Sequence, residues 1–556
     1  MSEVQPAAEG SPAAKSSRGR DLAAIIALFA ALSLVYWAGV LGLVGRVGFP
    51  LDDPYIHLQF ARNLYQDGQM AFHPGTPSTG TTAPLYPVLV AAAYLLVRDW
   101  FAASFLIGIL AGVGIAVCVY GMLAAWTGNR RLARWGGMLA VLVAPTVVQS
   151  YTGMEAATYS FAFLVGLWLY ASPRRRVAAS ALFALCVWLR PEFLMMLPLV
   201  ALERLIHHRR EASLSLARLL RELAPHLAVW SVMVALYAAY HWSIDGHFVP
   251  NTFRAKAVAM SGPPHPEWFE GLPAALRSGQ LRNILLAVFV WPLLALFTAG
   301  CSLGINCAPL AFGLREGLLG VWRDPGPAAA AWRLAVLTLV GYPLLRGFVE
   351  PSGLIFFQFQ RYYAHLTPLL ILIVLGAWPR TTAVVQRSFW SWRGLPEAVQ
   401  RRRTYGWAAL NCAGTIVLGI LAVGNIETMQ VALAGWVREH TTPQDTIATN
   451  DIGAVGFLSG RRILDTVGLV EPQLVDHYLQ GGDLLSYLRR HDPAYVIIFP
   501  GWYPDLAARE DVLQEVKRIK LDCNVICGGS AMVVYRPRWT AAAANGRATP
   551  PPANNP

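Results

Sequence analysis

Charge is scarce in this chain. Only 14% of the 556 residues are Asp, Glu, Lys or Arg, whereas 55% are apolar or aromatic. Soluble globular proteins carry about 25% charged residues, so this shortage excludes an ordinary cytosolic enzyme and any disordered or fibrous class. Lysine is especially rare, because four of the 45 basic residues are Lys. The net charge of +12 comes from arginines in short clusters between apolar runs, a pattern typical of membrane topology and not of nucleic-acid binding.

Cysteine is also scarce, with seven residues and no CxxC, HExxH or other metal-ligand spacing. Cys118, Cys186 and Cys412 lie in apolar runs, where a thiol behaves as a small hydrophobic group. Cys523 and Cys527 lie in the C-terminal region, which we predict to be outside the membrane. Oxidising conditions there permit a disulfide, but spacing alone leaves a disulfide and two free thiols equally open.

Long apolar runs predict a polytopic α-helical membrane protein of about 10 to 13 spans. The run Asp21–Val44 is long enough for one crossing and has no cleavage site after it. Pro84–Val97 is short for a span, which predicts a re-entrant or interfacial helix. Arginine clusters mark the cytoplasmic loops, and counting crossings between them leaves several segments outside: 52–83, 190–192, 244–281, 348–363 and everything after 424.

The composition changes near residue 425, and the chain divides accordingly. Strands at Thr446–Thr449 and Ala494–Phe499, with a helix at Asp483–Arg490 between them, predict a small α/β domain outside the membrane. We therefore predict four parts: a disordered cytoplasmic tail at 1–20, a transmembrane domain at 21–424 with its first outside loop at 50–83, an extracytoplasmic α/β domain at 425–540, and a disordered tail at 541–556.

The first outside loop begins with two adjacent carboxylates, Asp52 and Asp53. Such a pair beside a polar cavity suits general-base chemistry, because a like charge or burial raises one pKa towards neutrality. The alternative is that Asp53 caps a helix whose first residue is Pro54. His57, four residues after Asp53, shares its helical face, whereas Arg62 would point the other way on a straight helix.

Other charged residues are also expected on the outside. Glu155 begins a span, where a carboxylate in the first turn is favoured by the helix dipole. Arg190 and Glu192 lie between two short runs, and either pair with each other or bind a phosphate. Lys256 and Arg361 lie outside against the positive-inside trend, which makes them candidates for an anionic lipid headgroup.

Two further residues come from less specific patterns. Tyr86 begins the helix after the first loop, where an interfacial aromatic residue and a substrate contact are both possible readings. Asp451 follows the first predicted strand of the C-terminal domain in the stretch Asn450–Gly456. Its glycine spacing is wrong for a dinucleotide-binding loop, so we predict a tight turn that presents Asp451.

The order of these motifs resembles one known family. The first loop carries Asp52-Asp53-Pro54-Tyr55, then Ala61-Arg62-Asn63, then Thr82-Ala83-Pro84-Leu85-Tyr86. The later matches are Gly153-Met154-Glu155, Arg190-Pro191-Glu192, Pro250-Asn251-Thr252 with Lys256, Arg361-Tyr362, Asp451-Ile452-Gly453-Ala454 and Asp465-Thr466-Val467-Gly468-Leu469. Over most of residues 21–535 the chain resembles the GT-C superfamily of integral-membrane glycosyltransferases, in particular the mycobacterial arabinofuranosyltransferases that use polyprenyl-phosphate-arabinose. Pro54 departs from the small residue expected there.

This resemblance implies an inverting hexosyl- or pentosyltransferase in a bacterial inner (plasma) membrane. It would move a sugar from a polyprenyl-phosphate donor to a cell-envelope glycan or lipid acceptor at the extracytoplasmic face. It implies Asp53 as the general base with Asp52 in support, and leaves open a divalent metal near both. The substrate-binding residues that it implies are Arg62, Tyr86, Glu155, Arg190, Glu192, Asn251, Lys256, Arg361 and Asp451.

Two other classes share some of these features. A transporter or flippase for a lipid-linked substrate would also have many spans and charged residues. Alternating access usually comes with internal repeats and charges at the membrane midplane, whereas the candidate charges here collect at one face. A structural scaffold whose outside domain binds cell-wall polymer is the third hypothesis, in which the charges serve only as caps and ion pairs.

Overall fold

The computed structural model of the chain describes residues 12–143, 146–210, 215–259, 329–349, 357–376 and 397–538. Residues 260–281 of the predicted outside segment 244–281, and the predicted tail at 541–556, lie outside these ranges. The described part has a helical membrane body and a C-terminal α/β domain, as the sequence predicts.

The membrane body consists of helices joined by short connections. In chain order its described helices are α1 Pro12–Val44, α2 Asp53–Asp67, α3 Leu85–Val97, α4 Trp100–Thr127, α5 Arg130–Leu142, α6 Thr146–Gln149, α7 Ala156–Tyr170, α8 Arg176–Leu185, α9 Met196–Arg210, α10 Leu216–Asp245, α11 Asn251–Ala259, α12 Ala329–Val349, α13 Leu366–Gly376 and α14 Glu397–Ile426.

Among the described residues, four helical stretches are long and apolar enough to cross a membrane: Ser17–Val44, Trp100–Thr127, Leu216–Asp245 and Tyr405–His440. The helices α3, α7 and α13 are apolar but shorter. The predicted total of 10 to 13 spans extends over residues that the structure does not describe, so it stays a prediction.

The structure bears on two predictions about helix extent. α1 begins at Pro12, so residues 12–20 are helical and not the disordered tail that their composition predicts. The segment Pro84–Val97 contains the 13-residue helix α3, which packs between α2 and α4. The α4–α5 hairpin turns at Gly128, whose φ of 64° is easily adopted by glycine, and Asn129 then accepts the Leu132 N–H to cap α5.

The C-terminal domain begins where α14 continues through a π-helical turn, Glu427–Val431, into α15 Ala432–His440. Its five-stranded sheet consists of β3 Thr446–Thr449, β4 Arg462–Asp465, β5 Tyr495–Ile498, β6 Leu513–Lys520 and β7 Ala531–Pro537. The strand order is β4-β3-β5-β7-β6, in which β4, β3 and β5 are parallel and the other pairs are antiparallel. A separate two-stranded hairpin, β1 Ala71–His73 with β2 Thr76–Pro77, lies in the first loop. The helices that follow α15 in the domain are α16 Gly453–Ser459, α17 Pro472–Leu479, α18 Leu484–His491 and α19 Pro504–Ala507.

The strands β3, β4, β5 and β7 are buried on both faces of the sheet, and their alternate residues contribute to different cores, whereas the edge strand β6 is mostly exposed. Ile447 and Ile497 belong to a hydrophobic cluster continuous with the membrane body, whereas Ala448 and Val496 pack under α17 and α18. α16 packs against α2, so the first loop and the C-terminal domain share an apolar interface. This contact brings the strand ends of the domain to the acidic loop.

Candidate active site

Asp53 is the first residue of α2, and its carboxylate faces Arg361 from a distant part of the chain. The helix has Pro54 in its first turn, but the position before the helix is held by Asp52, so the capping role considered for Asp53 is not observed. Arg361 Nη1 donates to Asp53 Oδ2 at 2.5 Å. Burial raises the pKa of Asp53, but Arg361 outweighs this effect and, with Lys256 and His57, holds that pKa below its usual range. Asp53 is thus an ionised carboxylate that keeps 39% of its side chain exposed.

A second group of charges lies at the start of α7. Glu155 is 1% exposed and pairs with Arg190, whose Nε lies 2.6 Å from Glu155 Oε1. His57 Nε2 lies 3.3 Å from the other Glu155 oxygen, and Arg190 Nη1 lies 3.7 Å from Glu192. Arg190 therefore pairs with the carboxylates of both Glu155 and Glu192. The helix dipole alone does not account for Glu155, because its carboxylate forms an ion pair.

The ring of Tyr362 joins the two arginines. The guanidinium of Arg190 lies 4.4 Å from its centroid and that of Arg361 lies 5.0 Å away, within cation–π range. Arg361 Nη2 also donates to the Tyr362 hydroxyl at 3.1 Å. Within the described ranges, Arg190 Nη2 and Arg361 Nε are buried donors without an acceptor. The site therefore offers N–H groups that an anion can accept from.

Asp52 has a different environment, although it is adjacent to Asp53. Its two carboxylate oxygens accept the backbone N–H groups of Gly453 and Ala454, each at 2.7 Å. Asp52 thereby caps α16 of the C-terminal domain, and a side chain at Gly453 would collide with Asp52. Burial raises the pKa of Asp52 well above its usual range, and the nearby Asp451 adds to this effect.

Asp451 follows β3 and is the residue that the C-terminal domain contributes next to the acidic pair. Gln430, in the π-helical turn, donates from Nε2 to Asp451 Oδ2 at 2.7 Å. Burial raises the pKa of Asp451 to about 6, and the charge of Asp53 acts in the same direction. Asp451 thus lies close enough to interact electrostatically with both members of the first-loop pair.

Three other predicted residues surround this group. Tyr86 is buried, contacts the ring of His57 edge-on at 5.1 Å and shares a hydrogen bond with Ser104, so it is not an interfacial aromatic residue. Asn251 begins α11 and its side chain donates to the carbonyls of Gly468 and Leu469, in the C-terminal domain. Lys256 lies exposed on the same helix, and its charge acts on Asp53.

Arg62 does not belong to this charge cluster in the structure. Its Nη1 donates to the Phe457 carbonyl at 3.2 Å, its Nη2 bonds Gln59, and its guanidinium stacks 4.5 Å from the Phe457 ring. The reason is helical geometry, because nine residues turn Arg62 away from Asp53. Arg62 joins α2 to α16.

Sequence reasoning missed Gln430 and the backbone amides of Gly453 and Ala454. No pattern signals them, since a π-helical turn and a partner 401 residues away in the chain are both tertiary features. The question of a disulfide is also answered, because Cys523 and Cys527 are free thiols. The Cys527 thiol instead lies 3.5 Å from Gln430 Oε1.

The carboxylates do not form a metal site in the part of the chain that the structure describes. No group of three or more His, Cys, Asp or Glu side chains there has the arrangement of an ion site. Both Asp52 oxygens accept backbone N–H groups, and Asp53 is paired with a guanidinium. This donor set does not fit a divalent ion, which takes several oxygen ligands.

Comparisons with known proteins identify the fold. Residues 424–545 match a family described as a domain of unknown function, DUF8728. The crystal structure of ArnT from Cupriavidus metallidurans bound to undecaprenyl phosphate has a TM-score of 0.53 at 16% identity, covering 92% of this chain and 97% of that chain. The apo oligosaccharyltransferase of Archaeoglobus fulgidus has a TM-score of 0.52 at 13% identity, covering 86% and 69%. No curated protein sequence matches the chain.

These similarities extend over nearly the whole chain at low sequence identity, so they show a common fold. The chain has the GT-C glycosyltransferase fold, and the resemblance predicted from the motifs is confirmed at that level.

Proposed function

We propose that this protein is an inverting glycosyltransferase that moves a sugar from a polyprenyl-phosphate donor to a hydroxyl group of a cell-envelope glycan or lipid. The observation that carries the proposal is the Asp53–Arg361 pair, in which a partly exposed, ionised carboxylate lies beside a cation with a free donor. Inverting transfer needs these two parts together, a base for the acceptor and positive charge for the leaving phosphate.

Asp53 is the general base in this proposal. Its free oxygen accepts the proton of the acceptor hydroxyl, the acceptor oxygen bonds to the anomeric carbon, and the bond between that carbon and the phosphate oxygen breaks. A carboxylate paired with Arg361 is a weak base, because the cation lowers its pKa. Donor phosphate competes for the same guanidinium, so donor binding raises the basicity of Asp53 when it is needed.

Arg361, Arg190 and Lys256 stabilise the polyprenyl phosphate that leaves. The first two keep buried N–H donors without an acceptor among the described residues, and charge-assisted bonds of this kind are the stronger class of hydrogen bond. We assign Glu155 and Glu192 the task of holding Arg190, since Glu155 is too buried to reach a sugar. Tyr86 packs edge-on against the ring of His57, and we assign Asp451 to the acceptor side because the charge of Asp53 acts on it.

Asp52 acts through the C-terminal domain. Because both of its oxygens are held by α16, it positions Asp53 and does not touch substrate. Asn251 acts in the same way from α11, and Arg62 from the far end of α2. We propose that the cluster and the C-terminal domain face the extracytoplasmic side of a bacterial inner membrane, since arginine clusters mark the opposite face.

The fold supports the donor class. The ArnT structure with this fold is bound to undecaprenyl phosphate, a polyprenyl phosphate, and the Archaeoglobus protein is an oligosaccharyltransferase. At 16% and 13% identity these structures support the class of donor, and the experiments below identify the sugar and the acceptor.

The test incubates the purified protein with a panel of polyprenyl-phosphate pentoses and hexoses and measures which sugar is consumed. Asp53→Asn should bind the same donor but release sugar at least a hundredfold more slowly, since general bases contribute about 10²- to 10⁴-fold. Transfer by Asp53→Asn at the wild-type rate contradicts the proposal. Movement of a labelled lipid across the membrane without any glycoside product favours a transporter instead.

A further inference from the structure

The carboxyl ends of β3, β4 and β5 form an edge of the C-terminal sheet that faces the candidate active site. Asp451 follows β3 and approaches Asp52 and Asp53, while the loop after β4 accepts hydrogen bonds from Asn251 of the membrane body. In the order β4-β3-β5, the chain runs from β3 to β4 on one side of β3 and then crosses to β5 on the other side. The strand order therefore reverses between β3 and β5. Open α/β sheets bind ligands at such switch points, in the crevice beyond the carboxyl ends.

We propose that this crevice between β3 and β5 is a saccharide-binding subsite that holds the acceptor glycan next to Asp451, an inference that rests on the proposed transferase function. The description of DUF8728 names no ligand, and the resemblance implies a substrate contact at this edge for Asp451 but not for Trp502, Asn450, Thr466 or Tyr503. The argument depends on an aromatic surface, a set of polar groups and the local charge.

The aromatic surface is Trp502, in the 3₁₀ turn directly after β5. Its indole is 44% exposed but fixed, because Nε1 donates to the Gly528 carbonyl at 2.8 Å. A Cβ atom at Gly528 would lie 2.7 Å from the indole, so glycine permits the close backbone approach that supports the ring. Phe499 packs beside it with centroids 5.7 Å apart. An immobilised, exposed indole provides a flat apolar surface for the C–H face of a sugar ring.

Polar groups line the same strand ends. Asn450 follows β3, and its Oδ1 accepts the Phe499 N–H from the end of β5 at 3.2 Å, so its amide bridges the crevice. Asn450 is 4% exposed, and its Nδ2 has no acceptor among the described residues. Thr466 and Tyr503 share a hydrogen bond of 3.1 Å between their hydroxyl groups at the ends of β4 and β5. Amide and hydroxyl groups beside one aromatic surface are the usual composition of a sugar site.

The charge at this edge is acidic. The Tyr503 hydroxyl lies within electrostatic reach of Asp465 and Asp451. An anionic glycan is therefore disfavoured here, whereas the donor phosphate has Arg190, Arg361 and Lys256 on the membrane side. This separation of acidic groups at the strand ends from cations on the membrane side indicates that the acceptor is an uncharged saccharide. Its reacting hydroxyl is directed past Asp451 to Asp53.

The experiment is ¹⁹F NMR on full-length protein in nanodiscs, labelled with 5-fluorotryptophan. The Trp502 signal is assigned by its loss in Trp502→Phe, and Trp242, which is 53% exposed on α10, provides a control signal. The probes are neutral arabinan, galactan, mannan and glucan hexasaccharides, an anionic oligouronide, and a lipid with a nitroxide on its acyl chain. We expect a neutral hexasaccharide to shift the Trp502 signal but not the Trp242 signal. The nitroxide-labelled lipid should not broaden the Trp502 signal.

Activity provides the second readout. Trp502→Ala should raise the KM for the acceptor at least tenfold while the KM for the polyprenyl-phosphate donor stays unchanged, and Trp502→Phe should restore most of the loss. The proposal is overturned if no neutral saccharide shifts the Trp502 signal, or if the labelled lipid broadens it, which makes Trp502 a membrane anchor. The saccharide shift is measured without donor, so it survives or fails independently of the transferase function.

Discussion

The membrane side and the domain side of the candidate site hold their carboxylates in opposite ways. On the membrane side, Asp53 and Glu155 are paired with Arg361 and Arg190. On the domain side, Asp52 is held by backbone N–H groups and Asp451 by an amide. Burial together with the neighbouring carboxylate raises the pKa of Asp52, whereas Arg361 lowers that of Asp53 against the effect of burial.

The contrast supports our proposal that the two adjacent aspartates divide two tasks. Groups whose environments separate their pKa values are the usual sign of distinct chemical roles. The one beside a cation and partly exposed is suited to take a proton from an acceptor. The one that is buried and saturated with backbone donors is suited to hold the C-terminal domain in place.

The largest effect is expected where the membrane side loses a cation from a buried pair. Arg190→Gln leaves Glu155 buried without its main partner, which typically costs about 3–5 kcal/mol of folding free energy. We expect a marked fall in the melting temperature of the detergent-solubilised protein, measured by scanning fluorimetry. Arg174→Gln, at an exposed arginine, is the matched control, and equal melting temperatures for the two variants would contradict the ion-pair account.

Removing the cation beside Asp53 should alter both rate and pH dependence. Arg361→Gln is expected to lower kcat by about 10²- to 10³-fold, the usual loss for one charge-stabilising donor. Because burial of Asp53 remains and its cation is gone, its pKa rises, so the acid limb of the pH–rate profile should move to higher pH. Arg361→Lys keeps the charge and should keep the limb in place; an unmoved limb in Arg361→Gln would show that Asp53 does not titrate in the reaction.

On the domain side the pKa shift has the opposite sign, because the pKa of Asp451 is raised whereas that of Asp53 is lowered. The pKa of Asp451 is raised to about 6 by burial, above that of an unfolded chain, so the folded state binds this proton more tightly. The domain should therefore gain stability as pH falls from about 6 towards 4. Asp451→Asn should raise the melting temperature at pH 7.5 by the equivalent of about 2 kcal/mol, a gain that shrinks at pH 5. Asp522→Asn, at an exposed site, should do neither, and a pH-independent gain at Asp451 would refute the buried-carboxylate account.

The smallest effect is expected at Arg62, which joins the two sides through α16. Arg62→Ala loses a cation–π contact and two hydrogen bonds, and should cost about 1–2 kcal/mol of stability. The KM for the polyprenyl-phosphate donor should stay within twofold of wild type. A clear increase in this KM would contradict the assignment and place Arg62 among the phosphate-binding residues.

The sequence predicted much of this arrangement because membrane helices and outside charges follow local rules. Apolar length and arginine clusters placed Glu155, Arg190, Lys256 and Arg361 on one side, and the structure brings the first, second and fourth together around Tyr362 and His57. Helical spacing also placed Arg62 away from Asp53, as observed.

The rest depends on tertiary contacts that no local pattern carries. Asp52 and Asp53 are neighbours with the same side chain, and only distant parts of the chain distinguish them: α16 holds Asp52, and Arg361 pairs with Asp53. Gln430 reaches Asp451 because the helix widens into a π turn at Glu427–Val431, a change that residue spacing does not reveal. The chain length between such partners explains why the acidic pair was predicted as one catalytic unit.

The most direct test compares Asp53→Asn with Asp52→Asn in single-turnover sugar transfer at saturating donor, with amide exchange of Gly453 and Ala454 followed in the same samples. The account predicts a loss of about 10²- to 10⁴-fold for Asp53→Asn with the two amides still protected. It predicts a much smaller loss for Asp52→Asn, with both amides exchanging faster. Wild-type transfer by Asp53→Asn, or equal losses in the two variants with protected amides, would contradict the division of tasks between Asp52 and Asp53.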